Sequence, residues 1–104
     1  MLNEDVLRDI EVEESIRQAL PLAFDGNDAR VCYAWGTSGV TRQLAGSSAP
    51  PRAMLYQGNG VFARADYPLD RYALQIENGR PLAHRVYYDG YFAELLRPSP
   101  SPGC

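Results

Sequence analysis

The sequence predicts an α+β fold in which an N-terminal helix packs on a curled antiparallel sheet of five or six strands. Two patterns carry this prediction. Apolar residues recur at helical spacing before Pro21, and from residue 29 onward apolar and polar residues alternate with period two. Gly-rich turns separate the alternating segments. The chain has 104 residues and no apolar run long enough to cross a membrane, so a single modest core is expected.

The N-terminal helix is predicted to follow Asn3, a suitable N-cap, and to end at Pro21. Its apolar residues fall on two faces about 100° apart. They are Leu2, Val6 and Ile10 on one face, and Val12, Ile16, Ala19 and Leu20 on the other. The helix is therefore expected to bend near Glu11 or to form in two pieces.

Strand-like alternation is found in several segments, of which five or six are expected to pair in one sheet. The segments are residues 29–35, 40–44, 54–57, 61–65, 72–77, 82–88 and 91–96. Two prolines in the loop 45–52 exclude a central strand there. The predicted domain covers residues 1–97, and the Pro/Ser-rich residues 98–104 are predicted to be a disordered tail.

Two hairpins allow a prediction of register. Asp89-Gly90 is a two-residue turn signal, and closing it gives the pairs Tyr88/Tyr91, Tyr87/Phe92, Val86/Ala93 and Arg85/Glu94. In the preceding hairpin, one apolar face results from the pairs Tyr72/Val86, Leu74/His84 and Ile76/Leu82. That register requires a longer loop or a bulge near Pro81. The helix is expected to cover this apolar face.

The charge composition excludes several function classes. The formal net charge is −3, and all ten basic residues are arginine. The absence of lysine rules out Schiff-base and Walker-loop chemistry, and the acidic balance argues against nucleic-acid binding. Eight acids lie in residues 1–28, and eight arginines lie in residues 29–104. With abundant Ala, Gly and Pro, the missing lysine indicates a GC-rich coding sequence of bacterial or mobile-element type.

Metal and redox chemistry have little support in the sequence. His84 is the only histidine, and Cys32 and Cys104 are the only cysteines, so neither a zinc site nor a disulfide framework is predicted. Cys32 is interpreted as a small buried hydrophobe and Cys104 as a mobile thiol in the tail. No cofactor is expected, and the predicted location is the cytoplasm.

The best functional hypothesis is a small binding module with an apolar pocket between the helix and the sheet. Its polar tips would be Tyr72, His84, Tyr88 and Tyr91. A hydrogen-bonded core histidine is the simpler interpretation of His84. Enzyme activity is not expected, because only His84 titrates near neutrality. The carboxylates Asp66 and Asp70 are explained equally well by turn chemistry.

The opposite face of the sheet is predicted to form a homodimer. It carries apolar side chains around an ion pair, namely Tyr87, Phe92 and Leu96 around Arg85 and Glu94. The alternative hypothesis is a protein–protein interaction module of the inhibitor, immunity or accessory type. Such a module would act through the acidic helix or through this aromatic face.

Overall fold

The computed structural model describes residues 9–27, 29–37 and 39–100 and contains one closed antiparallel barrel of eight strands. The strands are β1 (Leu22–Asp25), β2 (Arg30–Gly36), β3 (Gly39–Leu44), β4 (Arg52–Gly58), β5 (Val61–Arg64), β6 (Arg71–Glu77), β7 (Arg80–Tyr88) and β8 (Tyr91–Pro98). Each strand pairs with the next along the chain, and β8 returns to pair with β1.

The predicted α+β architecture is wrong, because the apolar face of the sheet is covered by the opposite wall of the barrel and not by a helix. Closure depends on β1, which the period-two pattern does not reveal. Leu22, Ala23 and Phe24 are all buried, so this short strand shows no alternation. Its pairing with β8 joins distant parts of the sequence, which local patterns cannot indicate.

A single short helix, α1 (Glu14–Ala19), lies in the described part of the chain. It corresponds to the second of the two predicted apolar faces, and the predicted start at Asn3 lies outside the described residues. Val12 and Ile16 are buried in the core. A hydrogen bond also connects the segment to β4, since the Tyr56 hydroxyl donates to the Glu13 carboxylate. The helical segment therefore packs against one end of the barrel and does not lie across a sheet.

The barrel has two distinct ends. At the helix end, α1 lies near the β4–β5 and β6–β7 turns, which contain Asn59–Gly60 and Asn78–Gly79. At the loop end, the longer β3–β4 and β5–β6 connections lie with the β7–β8 turn. Two hydrogen bonds join the β5–β6 connection to the β7–β8 turn. The Tyr67 hydroxyl donates to Asp89 at 2.7 Å, and the Asp89 N–H donates to Asp70 at 3.3 Å.

The β6–β7 hairpin has the predicted pairs Tyr72/Val86 and Leu74/His84. The predicted bulge near Pro81 is confirmed, because the register shifts between Gln75 and Ile76. Ile76 consequently pairs with Pro81 and not with Leu82.

The β7–β8 hairpin follows the predicted register only near its turn. Tyr88/Tyr91 and Tyr87/Phe92 pair as predicted, but a bulge at Ala93 places Val86 opposite Glu94 and Arg85 opposite Leu95. The predicted Arg85–Glu94 pair is therefore wrong. Arg85 donates to Gln75 at 3.2 Å, and Glu94 accepts from the Asn27 N–H at 2.8 Å. An extra residue in a strand reverses the facing of all residues beyond it, so Leu96 is in the core.

Side chains from all parts of the sheet fill the barrel interior. The largest fully buried ones are Tyr33, Tyr56, Tyr72, Phe24, Phe62, His84 and Val40. Their rings pack edge-to-face or tilted, for example Phe24 and His84 at a centroid separation of 5.2 Å. Small closed barrels of eight strands have interiors that side chains can fill. The core is thus aromatic, with one histidine at its centre.

The last strand extends into the segment predicted as a tail. Pro98 pairs with Phe24, and the Ser99 N–H donates to the Ala23 carbonyl at 2.9 Å. Residues 101–104, including Cys104, lie outside the described residues. Cys32 is buried on β2, as predicted, but it is disulfide-bonded, contrary to the prediction that the cysteines form no disulfide framework. In the described part of the chain, no helix has the length and apolar character needed to cross a membrane.

Candidate functional site

The most distinctive chemistry lies where the barrel core meets the loop end. Arg42 is on β3 between Val40 and Leu44, and alternation turns it toward the interior with Val40. It pairs across β2 with Tyr33 and across β4 with Arg52. An arginine at an inward-facing position of a small barrel requires polar partners.

Arg42 is the outer member of a hydrogen-bonded chain that enters the core. Its Nε–H donates to the Tyr33 hydroxyl at 3.1 Å, and that hydroxyl lies 2.8 Å from Nε2 of His84. A guanidinium can only donate, so the Tyr33 oxygen accepts from Arg42, and we assign the Tyr33 proton to His84, the one partner of this hydroxyl in the described part of the chain that can accept it. His84 Nε2 is therefore the acceptor, and the imidazole proton is on Nδ1.

His84 is completely buried and stays neutral. Burial, reinforced by the positive charge of Arg42, lowers the pKa of His84 to about 3. Its Nδ1 has no hydrogen-bond partner of normal geometry among the described residues. A group with so low a pKa is not a proton donor near neutral pH, so the geometry favours a structural role for His84.

Arg42 also stacks on an aromatic ring of the core. Its guanidinium carbon lies 4.2 Å from the centroid of the Tyr72 ring. Stacking and the bond to Tyr33 hold the Arg42 guanidinium in one place. Burial raises the pKa of Tyr72, against the opposing effect of the Arg42 charge.

Three arginines line one small pocket at the loop end, which we call the arginine pocket: Arg42, Arg52 and Arg64. Arg52 is the cross-strand neighbour of Arg42, and Arg64 is the cross-strand neighbour of Met54. The pocket has a volume of about 160 Å³. Its other walls come from Gln43, Leu44, Ser47, Ala49, Pro50 and Met54.

Two of the three arginines share a carboxylate. Asp66 accepts from Arg64 through two nitrogens, at 2.9 and 3.1 Å, and from Arg52 at 2.8 Å. The hydrogen bond from Arg64 lowers the pKa of Asp66 to about 2. The buried carboxylate of Asp70 lies 4.0 Å from Arg64. The side chains of Arg52 and Asp66 are both about half exposed, so this ion pair is weak.

Arg42 differs from its two neighbours, because no carboxylate in the described part of the chain lies within ion-pair distance of it. It directly faces another arginine, Arg52, across the β3–β4 pair. Like charges at such positions destabilise a sheet. Three arginines and two aspartates leave the pocket with one excess positive charge.

Comparison of the chain with protein families, with curated proteins and with solved structures finds no match.

The structure places the residues predicted for the pocket in two locations. Tyr72 and His84 are together in the core, with ring centroids 6.2 Å apart. Tyr88 and Tyr91 lie at the end of the β7–β8 hairpin, and Tyr91 is 78% exposed.

Among the residues predicted for an interface, Tyr87 and Phe92 pack together on the outer surface, with their ring centroids 5.7 Å apart. Phe92 is exposed, whereas Leu96 is buried. Arg85 and Glu94 have separate partners, Gln75 and Asn27.

Sequence reasoning missed the arginine pocket, although one signal for it was present. In residues 40–44, alternation places Arg42 on the same face as Val40 and Leu44, so a charge on an apolar face is visible in the sequence. The other two arginines of the pocket give no such signal in the sequence. Arg52 and Arg64 become adjacent to it only through the pairing of β3, β4 and β5.

Proposed function

We propose that this protein is a small binding protein and that the arginine pocket holds a small anion. The observation that carries the proposal is Arg42, a positioned guanidinium without a carboxylate partner in the described residues that faces a second arginine. A bound oxyanion between Arg42 and Arg52 would remove the like-charge repulsion. Guanidinium groups are also well suited to carboxylate and phosphate oxygens.

The surroundings of Arg42 support binding more than catalysis. Tyr33 and Tyr72 hold the guanidinium, so little conformational freedom is lost when an anion binds. His84, the nearby titratable group, is neutral and shielded in the core. The pocket therefore offers fixed donors for an anion without an evident proton-transfer group.

The test is a thermal-shift and calorimetric titration with sodium acetate, sulfate and phosphate, with ionic strength matched by NaCl. We expect an anion-specific rise in melting temperature, because binding stabilises the folded state by RT ln(1 + [L]/Kd). Arg52→Gln should weaken binding about tenfold or more, which corresponds to the loss of roughly one charge-assisted hydrogen bond.

Arg80→Gln is the matched control, since Arg80 is exposed at the helix end. It should bind anions as the wild type does. Equal anion response in the Arg52 and Arg80 variants, or stabilisation by salt alone, would exclude the arginine pocket as the binding site. Circular dichroism of each variant verifies that the barrel is folded.

A further inference from the structure

We infer that the ligand of the arginine pocket is a monocarboxylate with a short apolar tail. This inference rests on the proposed anion-binding function and specifies the class of ligand. It follows from three features of the pocket: how Asp66 is held, the net charge, and the apolar part of the wall.

Asp66 shows which anion geometry the pocket favours. Its planar carboxylate is held by a two-nitrogen fork from Arg64 and by one nitrogen of Arg52, all between 2.8 and 3.1 Å. This parallel arrangement matches a carboxylate. Arg42 lies opposite Arg52 and has no such partner in the described part of the chain. A second carboxylate bound there would have Arg42 and the outer face of Arg52 as donors.

The charge of the pocket fits one negative charge. Arg42, Arg52 and Arg64 are balanced only in part by Asp66 and Asp70, which leaves one positive charge. A monocarboxylate neutralises that charge. A phosphate carries up to two negative charges near neutral pH and would leave an excess charge in a partly desolvated site.

Part of the pocket wall is apolar. Leu44, Ala49, Pro50 and Met54 contribute apolar side chains to the wall, beside the polar Gln43 and Ser47. Leu44 is 44% exposed, so its side chain offers apolar area that a ligand tail would cover. The volume of about 160 Å³ has room for a ligand on the order of five to ten heavy atoms.

The experiment is isothermal titration of the wild-type protein with sodium acetate, propionate, butyrate and benzoate, and with butyramide and inorganic phosphate. We expect affinity to rise two- to fourfold for each methylene added between acetate and butyrate. Butyramide, which has the same shape as butyrate without the charge, should bind at least tenfold more weakly.

Two variants test where the apolar tail of the ligand binds. Leu44→Ser should reduce the gain in affinity from acetate to butyrate, measured within this variant, to less than twofold. Leu82→Ser is the control, because Leu82 has a similar exposure of 46% on another strand and should keep the full gain.

The outcomes separate the two proposals. If phosphate or sulfate binds at the arginine pocket but carboxylates bind no better and show no dependence on chain length, the monocarboxylate inference is wrong and anion binding stands. If no anion binds, both are wrong. Equal chain-length dependence in the Leu44 and Leu82 variants would also contradict the assignment of the tail.

Discussion

The Tyr33 hydroxyl joins an arginine at the pocket to a histidine in the core, accepting from Arg42 and donating to His84. Tyr33→Phe removes this hydroxyl and leaves the buried Nε2 of His84 without a donor. We expect the free energy of unfolding to fall by about 1–3 kcal/mol, the cost of an unsatisfied buried polar group. Urea denaturation measures the change.

Tyr91→Phe is the control for that substitution, since the Tyr91 side chain is largely exposed. It should change stability by less than about 0.5 kcal/mol. A loss of similar size in both variants would indicate that the hydroxyl of Tyr33 has no special role in the barrel.

His84 makes stability depend on pH. Its pKa is about 3 in the folded barrel, below the ordinary value of 6.5, so below pH 6.5 the unfolded chain binds a proton that the folded chain does not. The free energy of unfolding should therefore fall as the pH decreases from about 6.5 toward 3, by at most about 1.4 kcal/mol per pH unit.

Denaturant titrations at pH 7, 6 and 5 measure this dependence before most carboxylates titrate. His84→Gln keeps an acceptor for the Tyr33 hydroxyl but has no titrating group, so its stability should change little over the same range. Parallel pH curves for the two proteins would mean that His84 is not the source of the acid sensitivity.

At the level of elements, the β4–β5 turn tolerates no side chain at Gly60. Its φ is +79°, and a Cβ would collide with the carbonyl oxygen of Leu74 in β6. Gly79, in the β6–β7 turn, has a similar φ of +77° but open space around it. Both glycines are needed for positive φ, and only Gly60 is needed for close packing.

Gly60→Ala and Gly79→Ala therefore form a matched pair. Gly79→Ala should cost about 1–2 kcal/mol from backbone strain alone. Gly60→Ala should cost a further 1–3 kcal/mol or so, because the backbone of β6 must shift. Chemical denaturation of both variants tests this, and equal losses would contradict the close approach of the turn to Leu74.

The same elements show what the sequence could predict. Turn residues such as Asp89-Gly90 determine the register next to them, so Tyr88/Tyr91 and Tyr87/Phe92 are correct. The bulge at Ala93 leaves no local signal, and it explains the failure of the Arg85–Glu94 pair.

For the candidate site, the sequence indicates single residues but not their assembly. His84 is predicted as a core histidine, and alternation places Arg42 on an apolar face. The meeting of Arg42 with Arg52 and Arg64 depends on the pairing of three strands. The closed barrel itself depends on contact between β1 and β8, for which no period-two signal exists.

At the level of the whole molecule, the predicted homodimer remains a prediction. Phe92 and Tyr91 are 58% and 78% exposed on the β7–β8 hairpin, and exposed aromatic side chains are common at interfaces. Light scattering should give twice the mass of the 11.6-kDa chain for the wild type and the monomer mass for Phe92→Asp. Leu82→Asp is the control, and a monomer in all three proteins would exclude this interface.

The seam between β1 and β8 also determines how the chain reaches its fold. Seven of the eight strand pairs join neighbours in sequence, whereas the seam joins Phe24 to Pro98 and Asp25 to Arg97. The hairpins can form early, but the first and last strands can meet only after the intervening meander has curled. Refolding should therefore end with closure of this seam, and a substitution that weakens it should accelerate unfolding more than it slows folding.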